Sequence, residues 1–201
     1  VDVDAVTIEG VVARITVQCV SKIAATPRQD IVVRIPFNRL RSIGTNDVLA
    51  SGHALHREEL GGYATSVEVI LGLNGDHKPL GIIDGVTIDV AIGWVQKQQY
   101  DMDYGLITLP HPVGNTSGWM KTASISHPEE YLQVATYSLG YPGDKGGIFQ
   151  FQTSGSSTSY TNGIYYFRDD LDALGGQSGS PLILSHSDYG ELAIGLISHQ
   201  N

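Results

Sequence analysis

A single cysteine, Cys19, stands in 201 residues. The chain cannot form an intrachain disulfide, and the cysteine count leaves the redox compartment open. No apolar run approaches the roughly 18 residues that a membrane-spanning helix needs. Positive charge is scarce: 12 Lys and Arg stand against 21 Asp and Glu, a formal net charge of −9. Such a deficit argues against a nucleic-acid partner, which calls for a basic face. Helix signals are thin too, limited to about one turn over residues 55–60. Internal repeats and low-complexity stretches are absent. The first residue is Val1, with no initiating methionine and no signal peptide, which reads as a processed or excised chain whose targeting segment is gone.

What is present is β pattern. Val11, Ala13, Ile15, Val17 and Cys19 share one face of a period-two repeat, with Arg14, Thr16 and Gln18 on the other. The cleanest alternation is Val86, Ile88, Val90, Ile92 and Trp94, with Thr87 and Asp89 opposed. Further strands are predicted at 31–35, 67–71, 132–137, 148–153, 164–167, 182–184 and 192–197. Turn signals such as Asn74-Gly75-Asp76 and Tyr141-Pro142-Gly143-Asp144 punctuate them. Many short strands with glycine-rich turns predict an all-β barrel or sandwich, and this length suffices for one such domain or two small barrels. Pro110-His111-Pro112-Val113-Gly114-Asn115 is the candidate connector near the middle. Asn115-Thr116-Ser117 is a glycosylation sequon, a tripeptide common by chance.

Three stretches carry chemistry. In Gly175-Gly176-Gln177-Ser178-Gly179-Ser180-Pro181 a serine sits among small, flexible neighbours, which suits a hydroxyl in a tight turn open to substrate. A plain turn between strands is the alternative. A serine hydroxyl is a weak nucleophile until a base lies within hydrogen-bond reach, itself oriented by a third group. His53, in Ala50-Ser51-Gly52-His53-Ala54-Leu55, is the candidate base. His56, His77, His111, His127, His186 and His199 lack a comparable setting. Asp103 leads into Tyr104-Gly105-Leu106-Ile107-Thr108-Leu109, a run expected to be buried, where a carboxylate is costly without a hydrogen-bonded partner. Asp101 is the rival two residues away. His53 and His56 do not make a metal site, because neither a His-Glu-x-x-His arrangement nor a cysteine pair accompanies them.

Those stretches, with Ile43-Gly44-Thr45-Asn46-Asp47-Val48-Leu49 ahead of His53 and Tyr137-Ser138-Leu139-Gly140-Tyr141-Pro142-Gly143-Asp144-Lys145, occur in an order that resembles the chymotrypsin-fold serine proteases, glutamyl endopeptidase (V8-like) branch. The resemblance covers most of the chain from about Arg41 onward. It implies an all-β double β-barrel of the chymotrypsin-like fold, residues 1–112 supplying His53 and Asp103 and residues 113–201 supplying Ser178. It implies a serine endopeptidase working through a His53, Asp103, Ser178 triad and an acyl-enzyme, with an oxyanion hole from the N–H groups of Gly176 and Ser178. Ser198 matches the place where many enzymes of this fold keep a serine beside the aspartate.

The departures bear on specificity. Gln177 stands where trypsin-type enzymes place an aspartate, so the buried ion pair with a new amino terminus is unavailable there. In glutamyl endopeptidases the mature amino terminus helps bind the substrate carboxylate, which makes Val1 a candidate for that role. Their glutamate pocket also uses a threonine five residues before the nucleophile and a histidine on the strand lining it. Here those places hold Ala173 and Ile197, with His199 two residues further on. The resemblance therefore implies the endopeptidase activity and leaves the glutamate preference open. Asp172 would suit lysine or arginine, yet glutamyl endopeptidases can carry aspartate there too, so it decides nothing.

The family continues past residues 194–199 into further strand and a terminal helix, which implies that such a segment was removed or left out of this chain. The resemblance also implies a protein or peptide substrate, no cofactor, no nucleic-acid or membrane partner, a monomer, and secretion. Two alternatives stay open: a protease-like binding module without activity, and an esterase or other acyl hydrolase using the same triad.

Overall fold

The structure is a computed structural model that describes residues 46–198 except 126 and 168–170, together with Val6–Thr7, Val17–Gln18, Ser21–Ile23 and Gln29–Ile31. The strands expected at 11–19 and 31–35 lie outside the described residues but for Val17, Gln18 and Ile31. Among the described residues short strands dominate, and three short α-helices punctuate them.

One three-stranded antiparallel sheet sets out the first half of the site. Its central strand, Gly105–Thr108, pairs with Asp47–Ala50 on one side and Thr87–Val90 on the other. The Val48 and Ile107 side chains in this sheet are fully buried and pack with Leu55, Val69 and Leu109 in one apolar cluster. Register does the positioning: Ala50 lies opposite Gly105. Because the strands are antiparallel, residues just after 50 and just before 105 leave the sheet at the same end, and these include His53 and Asp103.

A five-stranded sheet sets out the second half, in the order Lys121–Thr122, Gly190–Leu196, Pro181–His186, Ala135–Gly140, Phe151–Ser156. Leu182, Ile183 and Leu184 in its middle strand are all buried, the mark of a strand covered on both faces. Pro181 pairs with Leu196, and Ser138 with Leu182. Residues 174–180, 140–143 and 197–198 therefore converge at one end of this sheet. Among the described residues, the pair Val6–Thr7 with Ser124–Ile125 is the one strand pairing between the segments before and after residue 112.

The strands expected at 132–137 and 148–153 begin three residues later, at Ala135–Gly140 and Phe151–Ser156, and two other expectations fail more fully. The alternation from Val86 to Trp94 is not one strand: the strand is Thr87–Val90, and Ile92–Lys97 is a helix. A helix rotates residues two apart by about 200°, so they face opposite ways. Accordingly Trp94 is buried at 8% exposure while Ile92 is 66% exposed. The helical turn expected over 55–60 lies earlier, at Gly52–Leu55 with His53 inside it, followed by the strand His56–Arg57 and a 3₁₀ turn at Glu58–Leu60. The connector of residues 110–115 runs into another short helix, Gly114–Ser117, with Asn115 exposed.

Candidate active site

The turn that carries His53 needs a residue without a side chain beside it. A Cβ on Gly52 would come within 2.9 Å of the Trp94 ring and 3.1 Å of the Tyr104 nitrogen. Trp94 packs tilted against the imidazole, ring centroids 6.1 Å apart, and its Nε1–H donates to the His56 carbonyl at 3.1 Å. Arg57 Nε–H donates to the His53 carbonyl at 2.8 Å. Neither Trp94 nor Arg57 stands out in the sequence as part of the site: the indole sits inside the misleading alternation, and Arg57 is an ordinary charged residue until the chain folds back.

Asp103 is 1% exposed and heavily bonded. Its Oδ1 accepts the backbone N–H of His53 at 2.6 Å, its Oδ2 the His53 Nδ1–H at 2.7 Å, and Oδ2 also accepts the Ser198 hydroxyl. Burial pushes the carboxyl toward the neutral form, but the His53 hydrogen bond and charge, then Ser198 and the His53 amide, outweigh it and hold the pKa below the ordinary value. An ionised carboxylate only accepts, so Nδ1 is the imidazole donor and Nε2 carries the free lone pair. Asp101 is exposed, as a turn carboxylate should be.

The loop before the second-half strands is closed by its own amide side chain. Gln177, 3% exposed, accepts the Leu174 N–H on Oε1 at 2.7 Å, and its own N–H donates to the Leu174 carbonyl at 3.0 Å. A neutral amide thus staples the turn at a position where a charge would need a buried counter-ion. Gly176 and Gly179 adopt φ of +96° and +99°, where a side chain is strained. Between them Ser178 is half-buried. The N–H groups of Gly176 and Ser178 donate to no group among the described residues.

His53, Asp103 and Ser198 are thus brought into direct contact. Ser178 reaches them through backbone: the Gly179 N–H donates to the Ile197 carbonyl at 2.7 Å, and Ile197 precedes Ser198. Among the described residues no hydrogen bond joins Ser178 to His53. Asp172 is exposed, and Ala173 and Ile197 are half-buried. The Ser198 hydroxyl donates to Asp103, the carboxylate beside which the resemblance puts a serine. Val1 and His199 lie outside the described residues. No group of three or more His, Cys, Asp or Glu among the described residues is disposed to hold a metal ion.

No protein-family model matches the chain. It is 34% identical over 142 residues to the glutamyl endopeptidase of Bacillus licheniformis, a match over 70% of this chain and 43% of that protein. It is 30% identical over 156 residues to a Bacillus subtilis protein named extracellular metalloprotease, over 77% of this chain and 48% of that one. The chain thus spans less than half the length of these curated relatives. Among solved structures, a Glu endopeptidase in complex with MPD superposes with a TM-score of 0.67 at 19% identity, covering 96% of this chain and 93% of that one. The protease Anisep from Arthrobacter nicotinovorans gives 0.65 at 17% identity over 92% and 83%. A thermostable serine protease, AL20, gives 0.66 at 16% identity over 88% and 82%. Taken with the two sheets described above, the structural likenesses establish an all-β chymotrypsin-like double barrel, and the sequence likeness to a glutamyl endopeptidase supports a place on the glutamyl endopeptidase (V8-like) branch of that fold.

Proposed function

We propose that the chain is a serine endopeptidase acting on protein or peptide substrates through Ser178, His53 and Asp103. The observation that carries this reading is the bonded run from His53 through Asp103 to Ser198, and from Ile197 to the loop of Ser178. Ser178 Oγ attacks the carbonyl carbon of the scissile bond while His53 Nε2 takes the hydroxyl proton. The carbonyl π electrons move onto its oxygen, which the N–H groups of Gly176 and Ser178 receive. That both donors lack a partner among the described residues supports this role. Each such donor is worth roughly 3 kcal/mol in the transition state. The tetrahedral species then collapses: the C–N bond breaks, the imidazolium protonates the leaving amine, and an acyl ester remains on Ser178. Water, deprotonated by His53, attacks that ester; the bond from the acyl carbon to Ser178 Oγ breaks, the imidazolium returns the proton to Oγ, and the acid leaves. Asp103 fixes the imidazole tautomer and stabilises its cation.

In this reading residues 1–112 form the barrel that presents His53 and Asp103, and residues 113–201 the barrel that presents Ser178. The protein is secreted and monomeric and needs no cofactor. No helix among the described residues is long and apolar enough to cross a membrane. At the expected specificity positions Ala173 and Ile197 stand where a glutamate carboxylate would need polar partners.

A fluorophosphonate probe tests the reading. Stoichiometric labelling at Ser178, lost in Ser178→Ala and in His53→Ala, is expected. A folded sample that refuses the probe would instead make the chain a protease-like binding module. Hydrolysis of simple esters without cleavage of casein would make it an esterase.

A further inference from the structure

The strand Ala135–Gly140 runs out into Tyr141-Pro142-Gly143, and the nucleophile loop lies against that segment. The Gly143 N–H donates to the Gly175 carbonyl at 2.7 Å. A Cβ on Gly176 would stand 2.8 Å from the Gly143 nitrogen and 2.9 Å from the Tyr141 oxygen. The Gly175–Gly176 peptide is therefore seated on a backbone shelf made by residues 141–143.

The shelf is itself held from the other half of the molecule. Tyr141 is 3% exposed, and its phenol donates to the Leu73 carbonyl at 2.9 Å. Two residues further, the Gly75 N–H donates to the Ile148 carbonyl at 2.9 Å, and the Phe149 ring would lie 3.3 Å from a Cβ on Gly75. Residues 73–75 thus grip the 141–148 segment at both ends.

We infer that Tyr141 is a positioning residue of the oxyanion hole: its bond to Leu73 fixes the shelf that orients the Gly176 N–H. The inference rests on the reading of Gly176 and Ser178 as oxyanion donors. It explains why a phenol sits at a position where any large apolar side chain would fill the same space.

The test is Tyr141→Phe, which keeps the ring and removes the O–H, set beside Tyr165→Phe. Tyr165 is half-buried in the same half of the molecule and donates its phenol to the Pro128 carbonyl at 3.1 Å. Both variants lose one phenol–carbonyl bond, so both should unfold at a somewhat lower temperature. Kinetics are measured on a casein-derived peptide that the chain cleaves, and binding with the aldehyde of its acyl half, which forms a tetrahedral adduct on a serine nucleophile. For Tyr141→Phe, kcat is expected to fall about tenfold with KM within about twofold, and aldehyde affinity to fall by the same factor. That is a fraction of the roughly 10²–10³ lost when a whole oxyanion donor is removed. Tyr165→Phe should leave kcat and aldehyde affinity unchanged. Unchanged kcat and aldehyde affinity in Tyr141→Phe would overturn the inference, as would equal losses in both variants. If the wild-type chain cleaves casein no faster than Ser178→Ala, the reading beneath the inference fails and takes it along.

Discussion

Three donors converge on the carboxylate of Asp103: the His53 amide, the His53 ring and the Ser198 hydroxyl. The folded chain therefore holds this carboxyl below the value of about 3.9 that an unfolded chain gives it. A depressed folded-state pKa contributes stability that is fully present above the unfolded value and lost as pH falls through the folded one. Melting temperature should accordingly drop on acidification below about pH 4, and Asp103→Asn should flatten part of that drop. An identical acid profile in the variant would contradict the assignment. The same substitution should lower turnover about 10⁴-fold, because an amide no longer demands the Nδ1–H tautomer. Ser178→Ala should cost roughly 10⁴–10⁶ in kcat with an unchanged melting curve, measured on the same casein peptide. The choice of Asp103 over Asp101 was legible because only the former borders the run in which Tyr104, Ile107 and Leu109 are buried. What Gln177 does was not legible. Sequence shows only that a charge is missing there, whereas the staple to Leu174 depends on how the loop turns.

At the level of the elements, the helix Ile92–Lys97 and the turn Gly52–Leu55 are packed on each other through Trp94 and Gly52. Gly52→Ala pushes a methyl into the indole and the Tyr104 amide, and overpacking of this kind costs about 1–3 kcal/mol. Urea denaturation should show that loss. The fall in kcat should exceed what the unfolded fraction explains, since His53 is the next residue. A variant as stable as wild type would mean that the indole moves aside freely. Strand existence was legible across 182–184 and 192–197, where β-branched and leucine residues cluster in the covered strands Pro181–His186 and Gly190–Leu196. The 86–94 pattern misled because the period of two says nothing about where the chain must bend. Ala91 leaves the strand, and its carbonyl accepts the Trp94 and Val95 amides that start the helix. That bend brings the indole beneath His53, a tertiary demand that overrides local alternation.

Across the whole molecule, polar bonds among the described residues join the two halves, and Tyr141 to Leu73 is a buried one. Burial pushes the Tyr141 phenol up to about 12. A raised folded-state pKa on a group that is neutral when protonated gives stability that is complete below about pH 10 and lost as pH rises through the folded value. Denaturant midpoints measured from pH 8 to 12 should fall at the alkaline end. Tyr141→Phe should reduce that slope by about one proton, while costing about 1 kcal/mol at neutral pH for the lost hydrogen bond. An unaltered alkaline slope would show that the phenol ionises without strain. That such a bond joins the halves was not legible, because Leu73 and Tyr141 are 68 residues apart and the acceptor is a backbone oxygen. Asp103 and Ser198 are further apart still, 95 residues. A ribosome adding about 5–20 residues per second emits the carboxylate on the order of ten seconds before the hydroxyl that completes its coordination. A nascent chain of this protein therefore has the imidazole and its carboxylate long before the Ser198 hydroxyl is there to brace them.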